Sequence, residues 1–124
     1  MEHPHKSKAS LQRIWNTLGY SRDGLRSAFK HEVAFKQEVL GAALLIPLAL
    51  WLNVSHIGKA LLIASVMLVL IVELFNSAIE AVVDRISLER HELSKRAKDV
   101  GSAAVLLSLV NLGVTWLLVL LPTK

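Results

Sequence analysis

The sequence contains no cysteine, which excludes disulfide bridges, thiolate nucleophiles and zinc sites built on sulfur. It also lacks the glycine loops that hold nucleotides in the commonest folds. Neither G-x-x-x-x-G-K-S/T nor G-x-G-x-x-G occurs, so any nucleotide is held without a P-loop or a kinase-type glycine loop. There is no internal repeat and no low-complexity tract, and residues 1 to 30 hold neither an apolar core of signal-peptide length nor a small-residue cleavage pattern. Polar residues are scarce too. Of the 124 residues, 53% are hydrophobic, a high share for a soluble chain of single-domain length.

What is present is apolar and clustered. Three segments stand out, residues 39 to 52, 60 to 83 and 101 to 121. Crossing the hydrocarbon takes about 20 helical residues, so the third segment suffices alone and the second suffices if its two glutamates are tolerated. The first must begin near His31, with Lys36 and Glu38 reaching back to the interface. The expected architecture is one all-α membrane domain with transmembrane helices at about 31 to 52, 60 to 83 and 101 to 121. Pro47 lies inside the first span, where a membrane helix tolerates it with a kink.

Before the first span, Leu11, Ile14, Trp15 and Leu18, then Leu25, Ala28 and Phe29, recur at helical spacing around "GYSRDG". This spacing predicts two short amphipathic helices lying on the membrane, behind an unstructured tag over residues 1 to 9. Seven Lys or Arg residues precede or open the first span and five lie between the second and third. Lys59 alone lies between the first and second, and Lys124 alone follows the third. That asymmetry puts the N-terminus and the 84 to 99 connection in the cytoplasm and the C-terminus outside. The net charge of +4 therefore reads as topology and attraction to anionic headgroups, with no nucleic-acid footprint.

The second span ends in an unexpected way, as "VELFNSAIEAVVDR", residues 72 to 85. At 100° per residue, with Glu73 at zero, Asn76, Ser77, Glu80 and Asp84 all fall within a stripe about 100° wide. Carboxylates at membrane depth are unfavourable by several kcal/mol and normally face a bundle interior or a hydrated cleft. Two carboxylates one to two turns apart, with an amide between, suit a hard cation such as Mg²⁺ that keeps positions open for phosphate oxygens. Glu32, at the same depth, is a further donor, and Arg13, Arg22, Arg90, Arg96 and Lys98 are cations within reach of phosphate. The run "ERHELSKRAKD" reads as a charged helix start and by default as a solvated connector. These residues leave two classes open, an interfacial enzyme acting on a lipid headgroup and a small channel or carrier with carboxylates along its pathway.

The stretches "EVAFKQE" (32 to 38), "SVMLVLIVELFNSAIEAVVDR" (65 to 85) and "HELSKRAKDVGSAAV" (91 to 105) closely resemble the prokaryotic integral-membrane diacylglycerol kinase family. The resemblance runs from about Trp15 to Trp116. Its E-x-x-N-S/T-A-I-E-x-x-x-D signature, followed by R-A-K-D, is specific. It implies a homotrimer of three-span subunits with an N-terminal surface helix, in the inner membrane, with composite sites at the cytoplasmic interface. It further implies transfer of the γ-phosphoryl of MgATP to diacylglycerol, or, as in some relatives, to undecaprenol. Glu73 would be the general base, Asn76 would position the reacting groups, and Glu32 and Glu80 would hold the metal. The nucleotide would meet Arg13, Tyr20, Glu32, Glu80, Glu89, His91, Lys98 and Asp99. The lipid would lie along Ser21, Ala34, Phe35, Glu38, Trp51, Glu73, Ser102 and Trp116. Arg22 replaces a Trp common in the family and His31 an Asn. No role follows for them or for Asp84.

Overall fold

The computed structural model describes residues 5–86 and 91–122 and is all-helical. Four helices follow one another: α1 (His5–His31), α2 (Val33–Trp51), α3 (His56–Ile86) and α4 (Glu92–Leu120). The last three are long and apolar enough to cross a membrane. At about 1.5 Å per residue α2 is roughly 29 Å long, close to the hydrocarbon thickness, whereas α3 and α4 exceed it by about ten residues each. The excess lies at one shared end, where α3 carries Glu80, Asp84 and Arg85 and α4 carries Glu92, Lys95, Arg96, Lys98 and Asp99. Glu73 then stands near the boundary between the apolar and charged parts of α3.

Helix α3 is central, packing against α2 on one side and α4 on the other, while α1 packs on α2. Its buried stripe is Leu62, Val66, Val69, Glu73 and Asn76, alternating steps of four and three residues. That spacing keeps one side of a helix turned toward its neighbours. Opposite it, α2 buries Phe35, Ala42 and Ala49 at steps of seven. The α3–α4 hairpin is antiparallel, with Lys98 beside Asp84, Gly101 against Asn76, Trp116 beside Ser65 and Val119 against Gly58. The α2–α3 turn is fastened twice. Ser55 Oγ accepts from Gly58 N at 3.0 Å, and Lys59 Nζ donates at 2.6 Å to Leu50 O, one of the carbonyls that a helix C-terminus leaves free.

Trp116 Nε1 donates to Ser65 Oγ at 3.2 Å, and that hydroxyl donates in turn to Leu62 O at 2.7 Å. Interhelical bonds between such groups in membranes contribute about 0.6 kcal/mol on average. Trp116→Phe is therefore expected to lower stability by about that amount, as read by SDS-titration unfolding in micelles.

Three sequence expectations are corrected. The predicted pair of short N-terminal helices is one helix, because Gly19 and Gly24 keep helical geometry with no positive φ. A helical glycine costs about 1 kcal/mol and does not by itself end a helix. Within the expected unstructured tag the backbone is helical from His5. The expected connector over 84 to 99 is mostly helix, since α3 runs to Ile86 and α4 starts at Glu92. There His91 Nδ1 accepts from Leu93 N at 3.1 Å and caps α4. The three helices long and apolar enough to cross a membrane, at 33–51, 56–86 and 92–120, agree in number with the expected three.

Candidate active site

A single extended residue separates α1 from α2. Glu32 has φ −108° and ψ 110°, and it stands at the N-cap of α2 without using its side chain as a cap. Its own N–H donates to Ala28 O at 2.8 Å, and Lys36 N donates to Glu32 O at 3.1 Å. The backbone is thus satisfied on both sides of the break, leaving the carboxylate free for other partners. It lines a cleft of about 770 Å³ between α1 and α3, shared with Ser21, Ser27 and His31 on one wall and Leu74 and Ser77 on the other.

Of the stripe on α3, Ser77 borders this cleft, while Glu73 turns toward α2 and Asn76 toward α4. Glu73 is 5% exposed and Asn76 8%, while Ser77 and Glu80 are half-buried. Across from Glu73 lies Glu38 of α2, close enough for the two carboxyl groups to share a hydrogen bond, with Glu80 and Glu32 near enough for their charges to be felt at Glu73. Glu38 therefore turns inward toward α3, a partner that the sequence expectation did not include. It shares the inward side of α2 with Phe35, three residues before it, and Ala42, four after. Lys36 does reach outward, its Nζ 5.5 Å from the centre of the Phe29 ring.

Asn76 Nδ2 points to Glu80 Oε1 at 3.5 Å. Its Oδ1 presses on α4 at Gly101, where a Cβ would overlap it. Asn76 Oδ1, Glu38 Oε2 and Ser77 Oγ are buried without a hydrogen-bond partner among the described residues. Buried polar atoms left unpaired are unfavourable; Ser77 stands on the cleft with Glu32, whereas Asn76 Oδ1 is held against Gly101.

Two ion pairs frame the charged end. Lys98 Nζ lies 2.7 Å from Asp84 Oδ1, and Lys95 Nζ lies 2.6 Å from Asp99 Oδ2. Ser102 is exposed beside Gly101, and Ala34 is exposed beside buried Phe35. Phe35 also lines an apolar groove of about 620 Å³ with Phe29, Val39, Met67 and Leu70. Arg13 and Tyr20 stand exposed along α1, apart from the carboxylates. Trp51, at the end of α2, and Trp116, bonded to Ser65, lie toward the opposite end of the bundle. Glu89 and Arg90 fall outside the described residues. The structure thus gathers Glu32, Glu38, Glu73, Asn76 and Glu80 and sets Lys98 beside them. Sequence reasoning missed the Glu38–Glu73 contact, the Asp84–Lys98 pair and the fit of Gly101 to Asn76. The four-and-three spacing on α2 carries a signal only for the first.

Among the described residues no group of three or more His, Cys, Asp or Glu is arranged as a metal cage. Comparison with known proteins gives the context. Residues 19–120 match the family described as prokaryotic diacylglycerol kinase. The chain is 55% identical over 118 residues to a diacylglycerol kinase of Pseudomonas aeruginosa, covering 95% of this chain and 96% of the relative. It is 56% identical over 108 residues to that of Escherichia coli strain K12, covering 87% and 88%. To that of Haemophilus influenzae it is 52% identical over 106 residues, covering 86% and 90%.

Proposed function

The chain belongs to the prokaryotic diacylglycerol kinase family, and from that premise we propose that it phosphorylates 1,2-diacylglycerol at the cytoplasmic face of the bacterial inner membrane. The γ-phosphoryl of ATP moves to the lipid hydroxyl, and phosphatidic acid and ADP leave. The proposal includes a homotrimer with sites shared between subunits, a cytoplasmic N-terminus and a periplasmic C-terminus. It also lays α1 on the membrane surface. Support for that placement is the row Leu11, Ile14, Trp15 and Leu18, each more than half exposed, an apolar face that suits lipid better than water.

The observation that carries the reading is Glu73, a carboxylate only 5% exposed on the inward face of an apolar helix. A purely structural span gains nothing from such a group, whereas a base that meets a lipid hydroxyl must sit where acyl chains can stay in the membrane. In the proposed step Glu73 takes the hydroxyl proton as the lipid oxygen bonds to the γ-phosphorus. The bond from that phosphorus to the bridging oxygen breaks, and ADP carries away the electron pair. Asn76 orients the reacting groups from one side. Lys98 and Arg13 offset phosphate charge, and Tyr20, His91 and Asp99 are further nucleotide contacts, with Glu89. The lipid runs past Ser21, Ala34, Phe35, Glu38 and Ser102 toward Trp51 and Trp116. The groove of Phe35, Val39, Met67 and Leu70 accommodates an acyl chain.

Phosphoryl transfer depends mainly on positioning and charge neutralisation. Glu32 and Glu80 are hard oxygen donors, both near enough to Glu73 for their charges to be felt there. Mg²⁺ keeps waters and phosphate oxygens and needs only one or two protein carboxylates, so these residues fit a metal that arrives with ATP. Bound there, it neutralises negative charge on the phosphates. The test is to supply purified protein in mixed micelles with radiolabelled ATP and either diacylglycerol or undecaprenol, with and without Mg²⁺. Label is expected in phosphatidic acid, only when Mg²⁺ is present. Faster transfer to undecaprenol would reassign the acceptor, and transfer to neither would end the kinase reading.

A further inference from the structure

We propose that Asp84 is a positioning residue, holding Lys98 aimed at the phosphate end of the nucleotide. The inference rests on the kinase reading above and gives a role to a carboxylate that the sequence left unassigned. Asp84 lies in the last turns of α3, one turn beyond Glu80 and on the same stripe. Lys98 lies on α4 across the hairpin, and the two meet at 2.7 Å. The Lys98 ammonium is also close enough to Glu80 for their charges to interact, so it stands between two carboxylates on successive turns at the mouth of the site. The adjacent acid, Asp99, is engaged by Lys95 at 2.6 Å, which leaves Asp84 as the ion-pair partner of Lys98.

The side chains of Lys98 and Asp84 are 44% and 50% exposed, and ion pairs that open to solvent contribute little to stability. Orientation is a more useful effect. A free lysine must immobilise a flexible four-carbon stem when it grips a phosphate, and that ordering weakens binding. Asp84 orders the stem beforehand. It occupies one of the three ammonium donors and leaves the others for phosphate oxygens.

The experiment compares the parent protein in mixed micelles with Asp84→Asn, Asp84→Glu, Lys98→Met and the double variant Asp84→Asn/Lys98→Met. KM is measured separately for MgATP and for diacylglycerol, with kcat and thermal stability alongside. Asp84→Asn is expected to raise KM for MgATP about three- to tenfold while KM for lipid and thermal stability stay put. Asp84→Glu recovers most of the loss, and Asp84→Asn adds no further loss once Lys98 is Met. A fall in KM for MgATP would overturn the proposal, because it would mean that Asp84 only repels phosphate. Equal changes in both KM values together with lower thermal stability would also overturn it, by making the pair a fastener of the hairpin. So would losses that add fully in the double variant. A parent protein that phosphorylates no lipid would instead sink the kinase reading, an outcome distinct from all of these.

Discussion

Glu73→Gln is expected to abolish most phosphoryl transfer while leaving the protein as stable as the parent, or more so. A positioned general base contributes about 10²- to 10⁴-fold to rate, and kcat should fall by that factor. The amide keeps the shape of the side chain, so packing against α2 is retained. What changes is the neighbourhood, because Glu73 is 5% exposed, abuts Glu38 and feels Glu32 and Glu80. Replacing one of four crowded acids by a neutral amide relieves repulsion between like charges and gives Glu38 a donor. Activity and stability therefore move apart, as at sites where function is maintained against folding. Steady-state kinetics and SDS-titration unfolding on the same preparation test both halves. A Gln variant with more than about a tenth of the parent kcat would remove Glu73 as the base.

Gly101→Ala is expected to be the most damaging single methyl group in the chain for activity. A Cβ there overlaps Asn76 Oδ1, and Asn76 is too deeply buried to move aside without turning its amide. Turning breaks the approach of Nδ2 to Glu80 Oε1. It also removes Oδ1 from the place where it stands unpartnered. Misplacement by about 1 Å in a site can lower rate about 10²-fold, so kcat should drop by one to two orders of magnitude. Stability should hardly change, because alanine gains about 1 kcal/mol of helix propensity over glycine, which offsets the repacking. Gly113→Ala on the same helix is the control, since a Cβ there meets nothing within 4 Å in the chain. If Gly101→Ala retains full kcat, Asn76 is not needed in its observed orientation.

The three spans and the side of α3 that faces inward were legible, for one physical reason. Burial in a helical bundle repeats every three or four residues, and Leu62, Val66, Val69, Glu73 and Asn76 keep that beat whether the residue is apolar or charged. The same beat on α2 includes Glu38, yet charge made it read as an interfacial residue. Helix ends were harder to read. Gly19 and Gly24 resemble breaks, and the charged run from Glu92 reads equally as a helix start or a connector, because local propensity is weak beside the packing and capping that decide where a helix stops. Asp84–Lys98 and Asn76–Gly101 were out of reach, since pairing across a hairpin depends on the length and geometry of the link between helices. The stripe itself does not contain that information.

The junction at Glu32 bears on how the chain can vary. One extended residue, flanked by hydrogen bonds to Ala28 and from Lys36, leaves no slack between α1 and α2. A residue added inside the first turn of α2 would turn everything beyond it by about 100° relative to α1, and Phe35, Glu38 and Ala42 would leave the face that meets α3. The link therefore acts as a phase setting between two helices. Length there is constrained to the single residue.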